Sequence, residues 1–145
     1  MLSFTEQQLA KECGDCVEQF ALIQKVINEA SFSEVKKLNC HVLCIAIGEL
    51  FDLKIEHGYY MPCFEHSWCV DRYGNIIDVY PWGTIGGPIL IARPVAFFLR
   101  KDVSEKKGLY RIDNNLTVLK ERQTREDADI AKAEIVQLLK TYKAV

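Results

Sequence analysis

The stretch HSWCVDRYGNIIDVYP, residues 66–81, determines the fold expected for this chain. Aromatic and β-branched residues lie on both sides of Arg72-Tyr73-Gly74. Two such runs around a short turn segment are typical of antiparallel strands joined as a hairpin. A three-residue hairpin loop requires a left-handed residue, which Gly74 supplies without steric cost. The sequence therefore predicts a β-hairpin with these three residues as its loop.

The register of this hairpin decides which side chains share a face. A three-residue loop pairs Val70 with Ile76, so that His66, Trp68 and Asp78 point to the same side of the sheet. His66 and Asp78 are then diagonal neighbours, with Cα atoms about 7–8 Å apart. A two-residue turn would instead place His66 and Asp78 on opposite faces, because side chains alternate along a strand.

Asp78 interrupts the apolar run of residues 76–80. A buried carboxylate requires a partner, because leaving it unpaired costs several kcal/mol. An imidazole N–H is such a partner, and the pairing fixes the tautomer of the ring while its other nitrogen stays free to act as a base. We therefore expect His66 and Asp78 to form a buried pair. The alternative is that Asp78 faces solvent on a half-exposed strand.

A candidate nucleophile lies at the start of a predicted apolar helix that covers about residues 40–51. Asn39 is a favoured N-cap residue, which would put Cys40 in the first turn. The alternative is a helix that begins at Ser33 and carries Cys40 in its middle. The dipole at a helix N-terminus lowers the pKa of a thiol, and an adjacent imidazole lowers it further. Cys44 lies one turn deeper, so we favour Cys40.

The remaining segments complete an α+β pattern. Thr5 and Gln8 fit a capping box at the start of a first helix. Strands are predicted over residues 55–61, 64–71 and 75–80, a second hairpin over 109–112 and 116–119, and a last helix from near Thr124. We expect one domain, residues 1–145, in which N-terminal helices pack on an antiparallel β-sheet, with a C-terminal helix.

Composition excludes several classes of protein. Hydrophobic residues make up 49% of the 145 residues and the net charge is −2, so we expect a folded core and no strong attraction to nucleic acid or to an anionic membrane. Residues 79–92 lack charge but are too few to span a bilayer. No secretory signal pattern is visible at the start. We expect reduced cysteines and a cytoplasmic location, or delivery into a host cell after synthesis there.

The order of these features resembles the transglutaminase-like cysteine peptidase superfamily, relatives of the papain-like fold. The matching residues are NCHVLCIAIGELFDLKIEHGYY, which contain Cys40 and Gly58-Tyr59, and the hairpin that contains His66-x-Trp68 and Asp78. The resemblance implies a transglutaminase-like or papain-like core, in which a helix that bears the cysteine packs on a sheet that bears the histidine and aspartate.

The resemblance also implies a catalytic triad. Cys40 would be the nucleophile, His66 the general base and acid, and Asp78 the residue that orients the imidazole. The implied activity is that of a hydrolase or an acyltransferase, such as a thiol (cysteine) protease, amidase or deamidase, acting on an amide, peptide or thioester bond. A protein or peptide is the expected substrate, and neither a metal nor a cofactor is implied.

Substrate and oxyanion contacts have several candidates. Stabilising the tetrahedral intermediate needs a second donor beside the Cys40 backbone N–H. Asn39, Gln24 and Gln19 are candidates for that donor. Trp68 and Tyr59 are further candidates near the substrate, although Trp68 is expected mainly to support the hairpin.

Two other interpretations compete with this assignment of the site residues. The chain could be a catalytically inactive member of the same fold that serves as a protein-binding module. A zinc site from Cys13-x-x-Cys16 with Cys63 or Cys69 has weaker support, because the spacing is not that of a zinc finger. The two remaining histidines are expected to have ordinary roles, one as a partly exposed helix residue and one at a strand end: His41 and His57.

Overall fold

The described helices and strands follow the order α, α, β, β, β, β, β, α along the chain. The computed structural model describes residues 14–61, 64–80, 87–91 and 110–143. The elements are α1 (Gly14–Glu29), α2 (Cys40–Leu50), β1 (Lys54–Tyr60), β2 (Phe64–Val70), β3 (Ile76–Asp78), β4 (Ile89–Ile91), β5 (Tyr110–Ile112), a 3₁₀ helix (Thr117–Lys120) and α3 (Arg122–Lys143). The predicted α+β class, with a C-terminal helix, is confirmed.

The five strands form one antiparallel sheet in the order β4-β3-β2-β1-β5. The first four strands follow each other as neighbours, whereas β5 adds to the free side of β1. Gly58 on β1 is needed at this junction, because a Cβ there would lie 1.9 Å from the carbonyl oxygen of Arg111 on β5. The close approach of β5 thus explains why a glycine precedes Tyr59 in this chain.

The predicted hairpin register is confirmed. Val70 pairs with Ile76, and the Asp71 N–H donates to the Asn75 carbonyl at 3.0 Å. Gly74 has a φ of 82°, the left-handed conformation that the loop requires. The Asp71 carboxylate accepts from the backbone N–H groups of Tyr73 and Asn75, which holds the loop in shape.

Helix α2 begins at Cys40, as the N-cap interpretation predicts, and not at Ser33. Asn39 is extended, and its Oδ1 accepts a hydrogen bond from the Val42 N–H at 3.0 Å. The helix packs on β1 and β2 and against α3. This contact brings the first turn of α2 to the part of β2 that carries His66.

The sheet has an apolar cluster on each face, because strand side chains alternate. Cys69, Ile77 and Leu90 join the larger cluster, which also contains side chains of all three helices. Trp68, Ile76 and Ile91 form the smaller cluster on the opposite face, against which Tyr110 packs. His66 and Asp78 follow the alternation of Trp68 and Ile76, so they share this second face as predicted.

Two expectations about secondary structure need comment. The prediction of a strand over residues 116–119 is wrong, because Thr117–Lys120 is a 3₁₀ helix and β5 pairs with β1 instead. The hydrophobic residues of this segment lie in a short helical turn that leads into α3. The capping box of Thr5 and Gln8 lies outside the described residues. None of the described helices combines the length and apolar character that crossing a membrane requires.

Candidate active site

His66 and Asp78 form a buried pair. Nε2 of His66 lies 2.7 Å from Oδ2 of Asp78, and both side chains are fully inaccessible to solvent. The expectation that Asp78 has a partner on a buried face is confirmed, and the surface alternative is excluded. The same Oδ2 accepts the hydroxyl of Tyr110 at 2.6 Å, and Oδ1 accepts the Tyr80 N–H at 3.1 Å. Three donors thus compensate for the burial of this carboxylate.

Cys40 lies in the first turn of α2 and is 6% exposed. Burial alone would raise the pKa of its thiol, but the imidazoles of His41 and His66 lower that pKa to about 6. Burial also opposes protonation of His66. Asp78 and Cys40 outweigh it and raise the pKa of His66 to about 9. Between these values the stable form is a Cys40 thiolate beside a His66 imidazolium.

The orientation of the His66 ring leaves one nitrogen for chemistry. Nε2 is engaged by Asp78, whereas Nδ1 is buried and has no hydrogen-bond partner among the described residues. A buried unpartnered ring nitrogen costs free energy in a purely structural histidine. In a Cys-His pair it is the nitrogen that exchanges a proton with the thiol and the substrate.

Two tyrosines were missed by sequence reasoning. Tyr110 donates to Asp78, and its ring centroid lies 6.1 Å from that of His66. Tyr60 makes an edge contact with the His66 ring, also at 6.1 Å. Burial and the nearby Asp78 charge raise the pKa of both tyrosines, so both hydroxyls stay protonated. The sequence contained no signal for Tyr110, because its position depends on β5 joining β1.

His41 and His57 differ from their expected ordinary roles. His41 is 5% exposed, not partly exposed, because α2 packs this side of its first turn against β2. Its Nδ1 lies 2.6 Å from Oγ of Ser67. His57 lies within β1, and its Nδ1 is 2.5 Å from the same oxygen. Ser67 on β2 thus links the two imidazoles, and it was not a candidate from the sequence.

The predicted substrate and oxyanion candidates are placed in different ways. Asn39 directly precedes Cys40, and its side-chain oxygen is used by the helix cap. Trp68 lies beside His66, with ring centroids 6.1 Å apart, and its Nε1–H donates to Glu56 at 2.8 Å. Tyr59 is not brought to this group. It alternates to the other face of β1 from Tyr60, and the Arg111 guanidinium lies over its ring.

The two glutamine candidates lie elsewhere. Gln19 donates to the carbonyl of Phe51, which is the C-cap of α2 and therefore at the opposite end of that helix from Cys40. Gln24 donates to the carbonyl of Pro88, which precedes β4. Each side chain is thus engaged by a backbone oxygen away from Cys40. Asn39 is therefore the one of the three oxyanion candidates that the fold brings next to Cys40.

The other described cysteines, Cys16, Cys44 and Cys69, lie in the larger apolar cluster. Sγ of Cys44 lies 3.4 Å from Sγ of Cys69, and both are free thiols. Burial raises the pKa of the Cys44 thiol. No group of His, Cys, Asp or Glu suited to a metal ion occurs within the described ranges. Cys13 and Cys63 of the alternative zinc site lie outside those ranges.

A cleft of about 440 Å³ is lined by residues that flank the triad in the sequence. Leu38 and Leu43 come from either side of Cys40, and Val79 and Tyr80 directly follow Asp78. Most of this wall is apolar. The cleft is therefore suited to an uncharged side chain, and Cys40, His66 and Asp78 are not among the residues that line it.

Comparisons with protein-family models, with curated proteins and with solved structures found no match to this chain.

Proposed function

We propose that this protein is a cysteine-nucleophile hydrolase or acyl-transfer enzyme of transglutaminase-like type, with Cys40, His66 and Asp78 as its catalytic triad. The observation that carries the proposal is the orientation of His66. Asp78 holds Nε2 of His66 at 2.7 Å, whereas the buried Nδ1 of His66 has no other partner in the described structure. The His66 imidazole also lowers the pKa of the Cys40 thiol. A histidine with a merely structural role has no use for an unpartnered buried nitrogen.

The proposed reaction begins with the thiolate–imidazolium pair. The Cys40 thiolate attacks the carbonyl carbon of an amide or thioester, and the carbonyl oxygen becomes an oxyanion. His66 then gives its Nδ1 proton to the leaving group, so that a thioester to Cys40 remains. Water attacks this thioester while His66 accepts a proton from the water. The C–S bond then breaks, so that the acid is released and the thiolate–imidazolium pair is restored. Asp78 keeps the ring in position and stabilises its charged form.

Oxyanion stabilisation is supported by the position of Cys40 at a helix start. The backbone N–H groups in the first turn of a helix lack intrahelical partners, and they point toward a developing negative charge. Asn39 uses its side-chain oxygen for the cap, which leaves its amide N–H₂ as a donor. We therefore propose the Cys40 N–H and the Asn39 amide as the oxyanion donors.

The proposed substrate is a protein or peptide with an apolar side chain a short distance along the chain from the reacting bond. Support comes from the cleft of about 440 Å³ with Leu38, Leu43 and Val79 in its wall. Burial of one aliphatic side chain in such a cleft contributes about 1.5–3 kcal/mol of binding free energy.

We propose a reducing compartment, the cytoplasm of the cell or of a host. Cys16, Cys44 and Cys69 lie in the larger apolar cluster, where a thiol packs as a small apolar side chain and needs no disulfide. A nucleophilic Cys40 also requires that its thiol stay reduced.

The deciding experiment is alkylation with iodoacetamide as a function of pH, followed by mass mapping of each cysteine. Cys40 should react at least an order of magnitude faster than Cys44 or Cys16 at neutral pH, with a midpoint near its pKa of about 6. His66→Gln should move that midpoint upward. Equal rates for all buried cysteines would remove the main support for an enzyme.

The binding-module alternative predicts an inert Cys40. A peptide thioester probe that transfers its acyl group separates the two functions, because a bound thioester accumulates on an active nucleophile alone. Cys40→Ser serves as the matched control for labelling. Reactive alkylation without acyl transfer from any of a panel of apolar peptide thioesters would favour the binding module.

A further inference from the structure

A second histidine, His41, acts on the Cys40 thiol besides His66, and it belongs to a buried polar network. Ser67 on β2 is fully buried, and its Oγ contacts two imidazoles. Nδ1 of His41 lies 2.6 Å from this oxygen, and Nδ1 of His57 lies 2.5 Å from it. Three polar side chains from three elements, α2, β2 and β1, are thereby joined inside the protein.

The chemistry of a hydroxyl group gives this chain a direction. Ser67 has one proton, so it donates to one imidazole and accepts from the other. When both rings are neutral, one of them must carry its proton on Nδ1 and the other on Nε2. The tautomers of His41 and His57 are therefore opposite, and they can change only together.

His41 connects the chain to the thiol. It follows Cys40 directly in the first turn of α2, and its imidazole interacts with the Cys40 thiol. Because Nδ1 is engaged by Ser67, Nε2 is the ring nitrogen that remains for the thiol. The chain thus runs from Cys40 through His41 and Ser67 to His57.

The path ends at its most exposed member, His57. Cys40 and His41 are 6% and 5% exposed and Ser67 is fully buried, whereas His57 is half-buried on β1. The Cys40 side chain is nearly buried, so a path through protein groups is a route by which its proton can reach bulk water. His66 offers no such route, since it is fully buried and is already an imidazolium over the range in which the thiol ionises. The exposed end of the path is the His57 ring.

We propose, on the basis of the function proposed above, that His41, Ser67 and His57 form a proton relay through which Cys40 exchanges its thiol proton with solvent. His41 is then a second acid–base partner of Cys40, and its task is separate from that of His66. His66 exchanges a proton with the substrate, while the relay brings Cys40 to its thiolate form and back.

The relay step balances in protons and charge. The Cys40 Sγ–H proton moves to Nε2 of His41, the Nδ1 proton of His41 moves to Oγ of Ser67, and the Ser67 proton moves to Nδ1 of His57. His57, now an imidazolium, releases its Nε2 proton to water. Burial lowers the pKa of His57, which favours this release. The result is a Cys40 thiolate and two neutral rings whose tautomers have changed, with the proton of His41 now on Nε2 and that of His57 now on Nδ1.

The groups around the relay come from every element packed on it. The titratable and charged side chains near it are Cys40 and His41 on α2, His57 on β1, Glu65 and His66 on β2, Asp78 on β3, Arg111 on β5 over the Tyr59 ring, and Asp113, whose backbone N–H donates to the His57 carbonyl. His41 is the one of these that acts on His57. A change at His57 that follows Cys40 must therefore pass through His41.

The test is ¹⁵N NMR of histidine-labelled protein, which reports the ring nitrogen that carries the proton. The chain has 3 histidines, so His→Gln variants assign every signal. In the wild type, His57 should change from the Nε2–H to the Nδ1–H tautomer as the pH rises through the Cys40 midpoint. Cys40→Ala should abolish this inversion without disturbing the Ser67 hydrogen bonds.

Ser67→Ala keeps the charges in place and interrupts the relay, so the response of His57 to Cys40 should be lost. Ser33→Ala removes an exposed hydroxyl and serves as the matched control. A His57 tautomer that is independent of pH, or an inversion that persists in Cys40→Ala, overturns the relay. If Ser67→Ala fails to fold, the Cys40→Ala comparison still decides the question.

The same spectra separate the relay from the proposed triad. His66 should be an imidazolium in the wild type at neutral pH and should lose this form at lower pH in Asp78→Asn. A normal His66 response with an unresponsive His57 refutes the relay and leaves the triad standing. An inversion at His57 with a neutral His66 refutes the triad and retains the relay.

Discussion

Nε2 of His66 lies 2.7 Å from Oδ2 of Asp78, and neither side chain is accessible to solvent. In a low-dielectric interior, the negative carboxylate and the imidazolium stabilise each other strongly, while loss of either one leaves an uncompensated group. Nδ1, the other nitrogen of the His66 ring, is the one left to act on the Cys40 thiol. A substitution at Asp78 should therefore change the pKa of the Cys40 thiol through His66, without direct contact between Asp78 and Cys40.

We expect Asp78→Asn to slow the alkylation of Cys40. The amide can accept the His66 N–H, but it cannot stabilise an imidazolium as a carboxylate does. The pKa of the Cys40 thiol should rise by at least about one unit, equivalent to about 1.4 kcal/mol. The measurement is the alkylation rate against pH. Asp52→Asn, at an exposed position with a φ of 55°, is the matched control. Superimposable profiles for wild type and Asp78→Asn would contradict the triad.

Tyr110→Phe tests whether the second donor to Asp78 is structural. The substitution keeps the ring, which packs 5.0 Å from Trp68 and 5.2 Å from Tyr60, and removes the hydroxyl that donates at 2.6 Å. A hydrogen bond to a charged group contributes about 1.5–3 kcal/mol, so the free energy of unfolding should fall by that amount. Urea denaturation measures it. Tyr80→Phe, on a half-exposed ring, should change stability by less than about 0.5 kcal/mol.

Trp68→Ala should destabilise the protein by about 3–5 kcal/mol, as for other buried aromatic residues. Trp68 is 1% exposed, packs with Ile76 and Ile91, and donates to Glu56. Removal of the ring leaves a cavity and takes one hydrogen-bond donor from the Glu56 carboxylate, which keeps its ion pair with Lys54. Phe64→Ala, at a position that is 41% exposed on the same strand, is the control. An unchanged melting temperature together with weakened binding of an apolar peptide would show that Trp68 contacts substrate.

The pH dependence of stability should reveal the Cys40–His66 ion pair. The pKa of His66 rises from 6.5 to about 9, so its contribution is complete below pH 6.5 and is lost as the pH rises toward 9. The pKa of Cys40 falls from 9.0 to about 6, so its contribution is complete above pH 9 and is lost as the pH falls toward 6. Between 6.5 and 9 the two slopes oppose each other, and the pair leaves stability flat.

Cys40→Ala removes one of these slopes. Its free energy of unfolding should decrease as the pH rises above about 6.5, by up to about 1.4 kcal/mol per pH unit, because the His66–Asp78 contribution is no longer offset. Denaturation series at several pH values measure this slope. Cys16→Ala removes a buried thiol from α1 and should keep the flat profile of the wild type. Parallel profiles for the two variants would argue against the ion pair.

Local sequence signals were sufficient for the turn and the helix start. Gly74 adopts a φ of 82° because the three-residue loop requires it, and this loop sets the register that places His66 and Asp78 on one face. Asn39 caps α2 through a hydrogen bond to Val42, three residues away. Such interactions involve neighbouring residues, so their geometry is encoded by residue type and spacing.

Long-range packing explains what sequence reasoning missed. Residues 116–119 have the pattern of a strand, but β5 pairs with β1 and the chain then turns directly toward α3. His41 looked like a half-exposed helix residue, yet its side chain is covered where α2 packs on β2. Neither outcome depends on local propensity, because each is decided by which element docks beside which.

The sequence by itself determined the α+β class, the hairpin register, the helix start at Cys40 and the expectation that Asp78 needs a partner. Only the tertiary structure decided that Tyr110, 32 residues from Asp78, completes its hydrogen bonds, and that Ser67 joins His41 to His57. The physical reason is the range of the interactions. Turns and caps are formed within a few residues, whereas a buried polar network depends on the order of strands in the sheet and on where α2 packs.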